Sequence, residues 1–474
     1  MCAFAQNDYN ERTVLTMAKQ SNQAQTGGFG SRVGFILAAA GSAVGLGNIW
    51  RFPYLAAKYG GGIFLLIYLI LAVTFGFSLM ITEIAIGRRT GKSAIGAYSA
   101  LDRRFKPLNW LAALVPVIIT PYYCVIGGWV LKYLCVFTAG ELGEAAAGDG
   151  SFFGSFIGSA GQPTLFFLIF LLLTAVVVIL GVNKGIERIS KIMMPLLVLL
   201  TVGIAVYTLT LDGAAEGLKY YFLPNLNGFT FGTFLKTVAA AMGQLFYSMS
   251  IAMGILVTYG SYMRKEDSLE RSVRQIELFD TGIAVLAGMI IVPAVFVFSG
   301  GDASALNKGP SLMFITLPKV FDSMTGGRIV GIVFFLLVAL AALTSSISLM
   351  ETVVSIIMEK FGLKRTPACL ITTCVCIALG MLSVLGYSAW SNVTVLKMQF
   401  LDLFDFISNN IMMPIVALLT CILVGWIVKP KYVEDEVMIS QPHFRARVML
   451  SVMLRYVCPV CMIIILLTPF VTDI

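Results

Sequence analysis

Apolar stretches long enough to cross a bilayer recur along this chain. They lie near residues 33–57, 62–86, 108–137, 164–181, 191–211, 237–262, 277–300, 327–359, 366–386, 397–427 and 447–471. A membrane-crossing helix needs ~20 predominantly apolar residues, so the pattern predicts an all-α polytopic membrane protein with about 11 transmembrane helices. Two stretches are polar at mid-span. The first contains Ala40-Gly-Ser-Ala-Val-Gly-Leu-Gly-Asn-Ile-Trp-Arg-Phe-Pro53, and the sixth contains Gly243-Gln-Leu-Phe-Tyr-Ser-Met-Ser-Ile-Ala-Met-Gly254. Glycines, an Asn and an Arg in such positions predict a broken helix. Lipid cannot satisfy the carbonyls that a break sets free, so they must face a protein-lined cavity or an ion. Two breaks five segments apart predict a 5+5 inverted repeat, helices 1–5 and 6–10, with the binding site between broken helices 1 and 6.

Composition and charge narrow the function. The chain is 58% hydrophobic and 12% charged, with a mean hydropathy of +0.89, which excludes an ordinary soluble core. The net charge of +8 does not point to nucleic acid, because the cations fall in alternate loops. Arg88, Arg89, Lys92, Arg103, Arg104 and Lys106 form one group, and Lys184, Arg188 and Lys191 the next. The others lie around Arg264, Lys360 and Lys429, whereas the loop over 138–163 carries Glu141, Glu144 and Asp149 without Lys or Arg. This positive-inside pattern puts the N-terminus in the cytoplasm of a cell with this protein in its plasma (inner) membrane, and an odd helix count puts the C-terminus outside. The first thirty residues are polar and give no cleavable signal peptide, and Met17 reads as an alternative start. Residues 1–30 are expected to be a cytoplasmic tail, 31–427 the transport core, and 428–474 a cytoplasmic loop plus helix 11. Cys458-Pro-Val-Cys461 lies in an apolar span without a His or acid partner, so neither metal nor redox chemistry is expected there.

The motif ending in Gly45-Leu-Gly-Asn-Ile-Trp-Arg-Phe-Pro53 resembles the neurotransmitter:sodium symporter family, in its bacterial amino-acid-transporting branch. The resemblance runs from about Gly30 to about Trp426. It implies alternating access powered by a sodium gradient, with two sodium ions and a small-molecule amino acid as cargo. The first sodium would take the Ala43 carbonyl, the Asn48 side chain, the carbonyl and hydroxyl of Ser248, Asp280, and the substrate's own carboxylate. The second would take the carbonyls of Gly41, Val44 and Ala341 and the hydroxyls of Thr344 and Ser345. Read without the resemblance, those two hydroxyls would simply bond back to their own helix.

By the same resemblance the substrate pocket is formed by Ser42, Ala43, Leu46, Gly47, Ile119, Tyr123, Tyr247, Ser248, Ser250, Met253, Ser345 and Leu349. The Tyr123 hydroxyl would donate to the substrate carboxylate. Gly45 stands where monoamine-carrying relatives have Asp, and leaves room for an amino-acid carboxylate bound to sodium. The remaining walls are apolar, with flexible Met253 among them, so a neutral apolar or aromatic L-amino acid is expected. Asp280 is a departure from relatives that have Asn at the opening of segment 7. Ala284, one turn later, is neither the Ser of chloride-dependent relatives nor the Glu of some others. Asp280 is therefore the expected fixed negative charge, and transport is expected to ignore chloride. Asp280 is also expected to take up a proton when sodium and substrate leave, because a buried carboxylate without a cation is unstable as an anion. The plain structural alternative pairs Asp280 with a donor such as Gln244.

Four further features complete the reading. Glu83 is a second intramembrane acid, expected to bond the unwound backbone of segment 1 or 6, in either a structural or a proton-coupled role. Arg51 and Asp405 should face each other through water and close the outer vestibule above Tyr247. On the inner side Glu359 is the expected acid, near Tyr262 and Ser261, but the family's N-terminal Arg position is Thr26 and its Trp position is Phe29. That leaves Lys19 as a substitute, or a looser gate. Gly185 and Pro195 have the Gly-x9-Pro spacing of the family element that unwinds to admit water, although Pro also suits a helix start. No nucleotide-binding motif appears, and no nucleophile pair or paired-Asp motif sits in a span, so neither ATP-driven pumping nor an enzyme is expected. A channel would need a continuous polar lining, which these convergent mid-span groups do not supply. An amino-acid sensor on the same fold is the alternative the residues leave open.

Overall fold

The computed structural model describes residues 28–141, 143, 150–224, 229–298 and 311–471. Thr26 and Lys19, on which part of the inner-gate expectation rests, lie outside the described residues. Within them the chain is helical, without strands and with only two isolated bridges, such as Gly61 with Pro224. The first pair is α1, Arg32–Ala43, and α2, Gly47–Lys58, bent by 53° at the break between them. There follow α3 (Gly62–Thr90), α4 (Arg103–Ala139), α5 (Gly161–Ile179) and α6 (Val182–Leu209). A short α7, Ala214–Phe222, precedes a second broken pair, α8 (Phe231–Ser248) and α9 (Ile255–Tyr262). The remaining long helices are α10 (Leu269–Phe298), α11 (Gly327–Phe361), α12 (Arg365–Tyr387), α13 (Phe400–Ile427) and α14 (Arg447–Thr468). Among the described residues nine helices are long and apolar enough to span a membrane, and the bent α1–α2 pair makes a tenth.

The two breaks arise differently. Val44 leaves α1 in an extended conformation, and the chain re-enters helix through a π-turn over Gly47–Arg51, with Pro53 just where the π-turn gives way to α-helix. The second break, residues 249–254, runs through positive φ at Ser250, Ala252 and Gly254. For Ser and Ala that conformation is costly and persists only where the surroundings enforce it.

Two expectations change. Segment 7 does not open at Asp280: α10 begins at Leu269, because buried Leu269, Val273 and Ile276 continue the helical stripe while Arg271 and Arg274 face outward. Asp280 thus lies well inside a helix. Arg88 is also no solvated loop cation. It is buried in an ion pair with Glu436 at 2.8 Å and donates to the backbone carbonyls of Asp267 and Glu436.

Candidate functional site

The breaks face each other across a small cavity. Its walls are Ser42, Ala43, Gly45, Leu46, Gly47, Ile119, Tyr123, Tyr247, Ser248, Ser250, Met253, Ile255, Ser345 and Leu349. All twelve residues expected in the pocket are there. Gly45 and Ile255 join them, and no charged side chain does. The Ser42 and Ser250 hydroxyls meet at 3.0 Å and tie the two breaks together, and Ser250 also donates to the Ser42 carbonyl at 3.1 Å. The Tyr123 hydroxyl accepts from the Leu46 amide at 3.3 Å. Gly45 is required by space: a Cβ there would stand 2.7 Å from Ser345 Oγ and 2.9 Å from the Tyr123 hydroxyl. At Gly47 a Cβ would strike the Tyr247 ring.

Beside the cavity lies an oxygen cluster built on Asp280. Asn48 Nδ2 donates to Asp280 Oδ1 at 2.7 Å, Ser248 Oγ to Oδ2 at 3.0 Å, and the Tyr68 hydroxyl to Oδ2 at 3.4 Å. Asp280 is fully buried, and none of these partners is a cation. A buried carboxylate without a countercharge is costly. Carboxyl and amide oxygens converging in this way are the donor types that suit a hard cation. Gln244 is not a partner of Asp280: its Nε2 donates to the Gly47 carbonyl at 3.0 Å, which places it on the first break instead. Tyr68 went unrecognised in the sequence because an aromatic inside the uniform apolar run of α3 carries no signal. Only the crossing of α3 against α8 and α10 aims its hydroxyl at the acid.

A second cluster contains no acid. Ser345 Oγ lies 3.3 Å from the Gly41 carbonyl, 3.1 Å from that of Ser42, 3.4 Å from Val44 and 3.2 Å from Ala341. Thr344 Oγ1 lies 3.0 Å from the Ala341 carbonyl. One hydroxyl proton cannot satisfy four carbonyls. Such a convergence of oxygens suits a hard cation, and the Ser42 carbonyl is an addition to the expected set. Close approach of α1 to α11 makes it possible, since a Cβ on Gly41 would sit 3.1 Å from Thr344 Cβ.

On the outer side the Arg51 guanidinium lies over the Tyr247 ring, 5.2 Å from its centroid. Asp405 accepts from Asn409 Nδ2 at 2.6 Å, and Asn409 also reaches the Tyr122 hydroxyl at 3.3 Å. Arg51 and Asp405 form no direct ion pair. Glu83 Oε1 accepts from the Ala252 amide at 2.8 Å, so it holds the second break rather than the first, while its Oε2 has no partner.

The inner side differs from expectation. Glu359 does not meet Tyr262: it accepts from the amide and hydroxyl of Ser93, at 2.7 and 2.6 Å. Tyr262 donates instead to Glu351 at 2.8 Å, and Glu351 is paired with Arg365 at 2.6 Å. Glu351 lies two helical turns nearer the cavity than Glu359, on the buried face of α11. As an acid within an apolar helix it was detectable in the sequence. Ser261 bonds its own helix at the Thr258 carbonyl. The Gly185–Pro195 stretch is helical throughout, with a π-turn at Val182–Glu187, and a Cβ on Gly185 would strike the Val177 carbonyl. Packing alone therefore accounts for that glycine.

A sequence profile described as the Sodium:neurotransmitter symporter family matches residues 26–146 and 152–473. The chain belongs to that family. It is a multi-pass membrane transporter that uses sodium, not an enzyme. Among its relatives is an uncharacterized sodium-dependent transporter, YhdH, of Bacillus subtilis, 37% identical over 82% of this chain and 85% of that protein. Another, from Haemophilus influenzae, is 33% identical over 87% of this chain and 91% of the relative. The human sodium- and chloride-dependent GABA transporter 2 is more distant, 24% identical over 73% of this chain and 64% of its own length. The crystal structure of MhsT in complex with L-phenylalanine matches with a TM-score of 0.83 and 36% identity, covering 93% of this chain and 99% of that one. The fold read from the hydrophobic pattern, an all-α polytopic membrane protein, is thus borne out.

Proposed function

We propose that this transporter is a symporter that carries a neutral, apolar or aromatic L-amino acid into the cell together with two sodium ions. The observation that carries the reading is the cavity wall: hydroxyls and broken-helix backbone together with apolar side chains, and no charged side chain in the lining. A zwitterion would put its carboxylate toward the Asp280 cluster through a shared sodium, with the Tyr123 hydroxyl as donor. Its side chain would lie against Ile119, Met253, Ile255 and Leu349, where a cationic or anionic group would find no partner. L-phenylalanine on MhsT supports this class, not a particular member of it. The Asp280 cluster would hold one sodium with Ala43, Asn48 and Ser248. The Ser345 cluster would hold the other with Gly41, Val44, Ala341 and Thr344. Asp280 would supply the fixed negative charge, making transport independent of chloride, and would carry a proton on the return step.

In this reading residues 31–427 form the core as a 5+5 inverted repeat, and its two broken helices rock to expose the cavity to either side. The protein sits in the plasma membrane with its N-terminus in the cytoplasm and its C-terminus outside. The test is uptake into proteoliposomes of labelled Leu, Met, Trp, Tyr, Ala, Gly, Glu and Lys, with sodium or potassium outside and chloride or gluconate as anion. Sodium-dependent, chloride-indifferent uptake of the apolar and aromatic members is expected. Uptake of Glu or Lys would overturn the substrate class. Sodium-dependent binding without uptake would replace the symporter with a sensor.

A further inference from the structure

An exposed stripe runs from the start of α4 into its apolar span. Arg103 lies in a 3-10 turn, so Lys106, three residues on, shares its face. Trp110 and Leu114 follow at four-residue spacing on the same side of the helix, 53% and 47% exposed. Cations, then an indole, then an aliphatic side chain is the order in which a bilayer passes from headgroups to hydrocarbon. A second helix brings a cation to the same place. Lys360, in the last turn of α11, lies over the Trp110 ring, with Nζ 4.8 Å from the centroid. A helical side chain leans toward its own N-terminus, so the indole that carries Lys360 leans toward Lys106. Past Lys360 the chain turns at Gly362, in the left-handed region, to reach Lys364 at the cap of α12, and Phe361 between them is 68% exposed.

The positive charge here is uncompensated within the protein. Arg104 and Arg365, the neighbouring arginines, are paired with Asp102 and Glu351 at 2.7 and 2.6 Å. Glu359, the acid next to Lys360, accepts from the amide and hydroxyl of Ser93. Among the described residues no ion pair includes Arg103, Lys106, Lys360 or Lys364.

We propose that Lys106, Trp110 and Lys360 form a binding site for the headgroup of an anionic phospholipid. The two ammonium groups, from two helices, flank the phosphate. The indole face holds Lys360 in position. The acyl chains descend past Leu114 and Phe361. A lipid fits better than a soluble anion because the cations continue directly into exposed apolar surface, which a soluble phosphate would leave uncovered. Occupancy braces α4, which carries Tyr123, against α11, which carries Thr344 and Ser345. The site stands whether or not the protein is a symporter, and whichever leaflet it faces.

The test is mass spectrometry of the intact full-length protein under non-denaturing conditions in neutral detergent, titrated with phosphatidylglycerol or phosphatidylcholine. Lys106→Gln and Lys360→Gln are each expected to weaken phosphatidylglycerol binding about fivefold, and the double variant about 25-fold. Lys360→Arg should keep it within twofold of the parent. Lys132→Gln is the matched control, because Lys132 also lies over aromatic rings, those of Phe152 and Phe166, farther along α4. It should bind as the parent does, and phosphatidylcholine should bind weakly to every variant. Undiminished phosphatidylglycerol binding in the double variant, or an equal loss in Lys132→Gln, overturns the proposal. Displacement of the lipid by excess soluble glycerol phosphate also overturns it, and would assign the cations to a soluble phosphate compound.

Discussion

The two oxygen clusters beside the cavity are close together yet chemically unlike. The Asp280 cluster is built on a carboxyl group supported by Asn48, Ser248 and Tyr68. The Ser345 cluster has only carbonyl and hydroxyl dipoles, from Gly41, Ser42, Val44 and Ala341 around one side chain. A cation leaving the first strands a buried carboxylate, which must then be neutralised. A cation leaving the second strands only dipoles, which can turn to hydroxyls or water. If both clusters hold sodium as proposed, the difference would give the electrostatic part of coupling to Asp280, and to the second cluster the geometric part of holding α1 against α11.

The strongest way to break this contrast is to discharge the first cluster. Asp280→Asn is expected to lower sodium-driven uptake ~100-fold, about the 3 kcal/mol cost of removing one side of a buried charge interaction. If its uptake stays within a few-fold of the parent, the fixed charge is elsewhere. Ser345→Ala should act more gently, raising the sodium concentration for half-maximal uptake ~10-fold through loss of a cation-facing oxygen, with the maximal rate retained. Equal losses in the two variants would erase the distinction between clusters. Gly45→Ala tests the shared wall: its Cβ would crowd Ser345 Oγ at 2.7 Å and the Tyr123 hydroxyl at 2.9 Å. Substrate affinity should fall several-fold, roughly 1 kcal/mol of overpacking, and the apparent sodium affinity should fall with it because Ser345 Oγ belongs to the second cluster. Tyr68→Phe removes the longest of the Asp280 hydrogen bonds, 3.4 Å, and should cost roughly threefold in apparent sodium affinity. Replacing chloride by gluconate is the smallest perturbation, and the uptake rate should not move. A clear fall would mean that Asp280 does not supply the negative charge the site needs.

The chain by itself determined its solvent and its breaks. Long apolar runs can only be membrane helices, and glycines with Asn48 in one such run can only mark a place where helix stops, because lipid tolerates no free backbone. Residues around the breaks were legible for the same reason, since polarity stands out where everything else is apolar. The start of α10 was not, because its amphipathic extension from Leu269 reads as loop until packing buries one face. Other parts were decided in three dimensions alone. Tyr68 becomes a partner of Asp280, Gln244 turns to Gly47, and Tyr262 selects Glu351 over Glu359. Each is a choice among several chemically suitable groups, and it depends on which helix faces cross. Sequence spacing specifies the face of one helix. Only the packing of several helices specifies which faces meet.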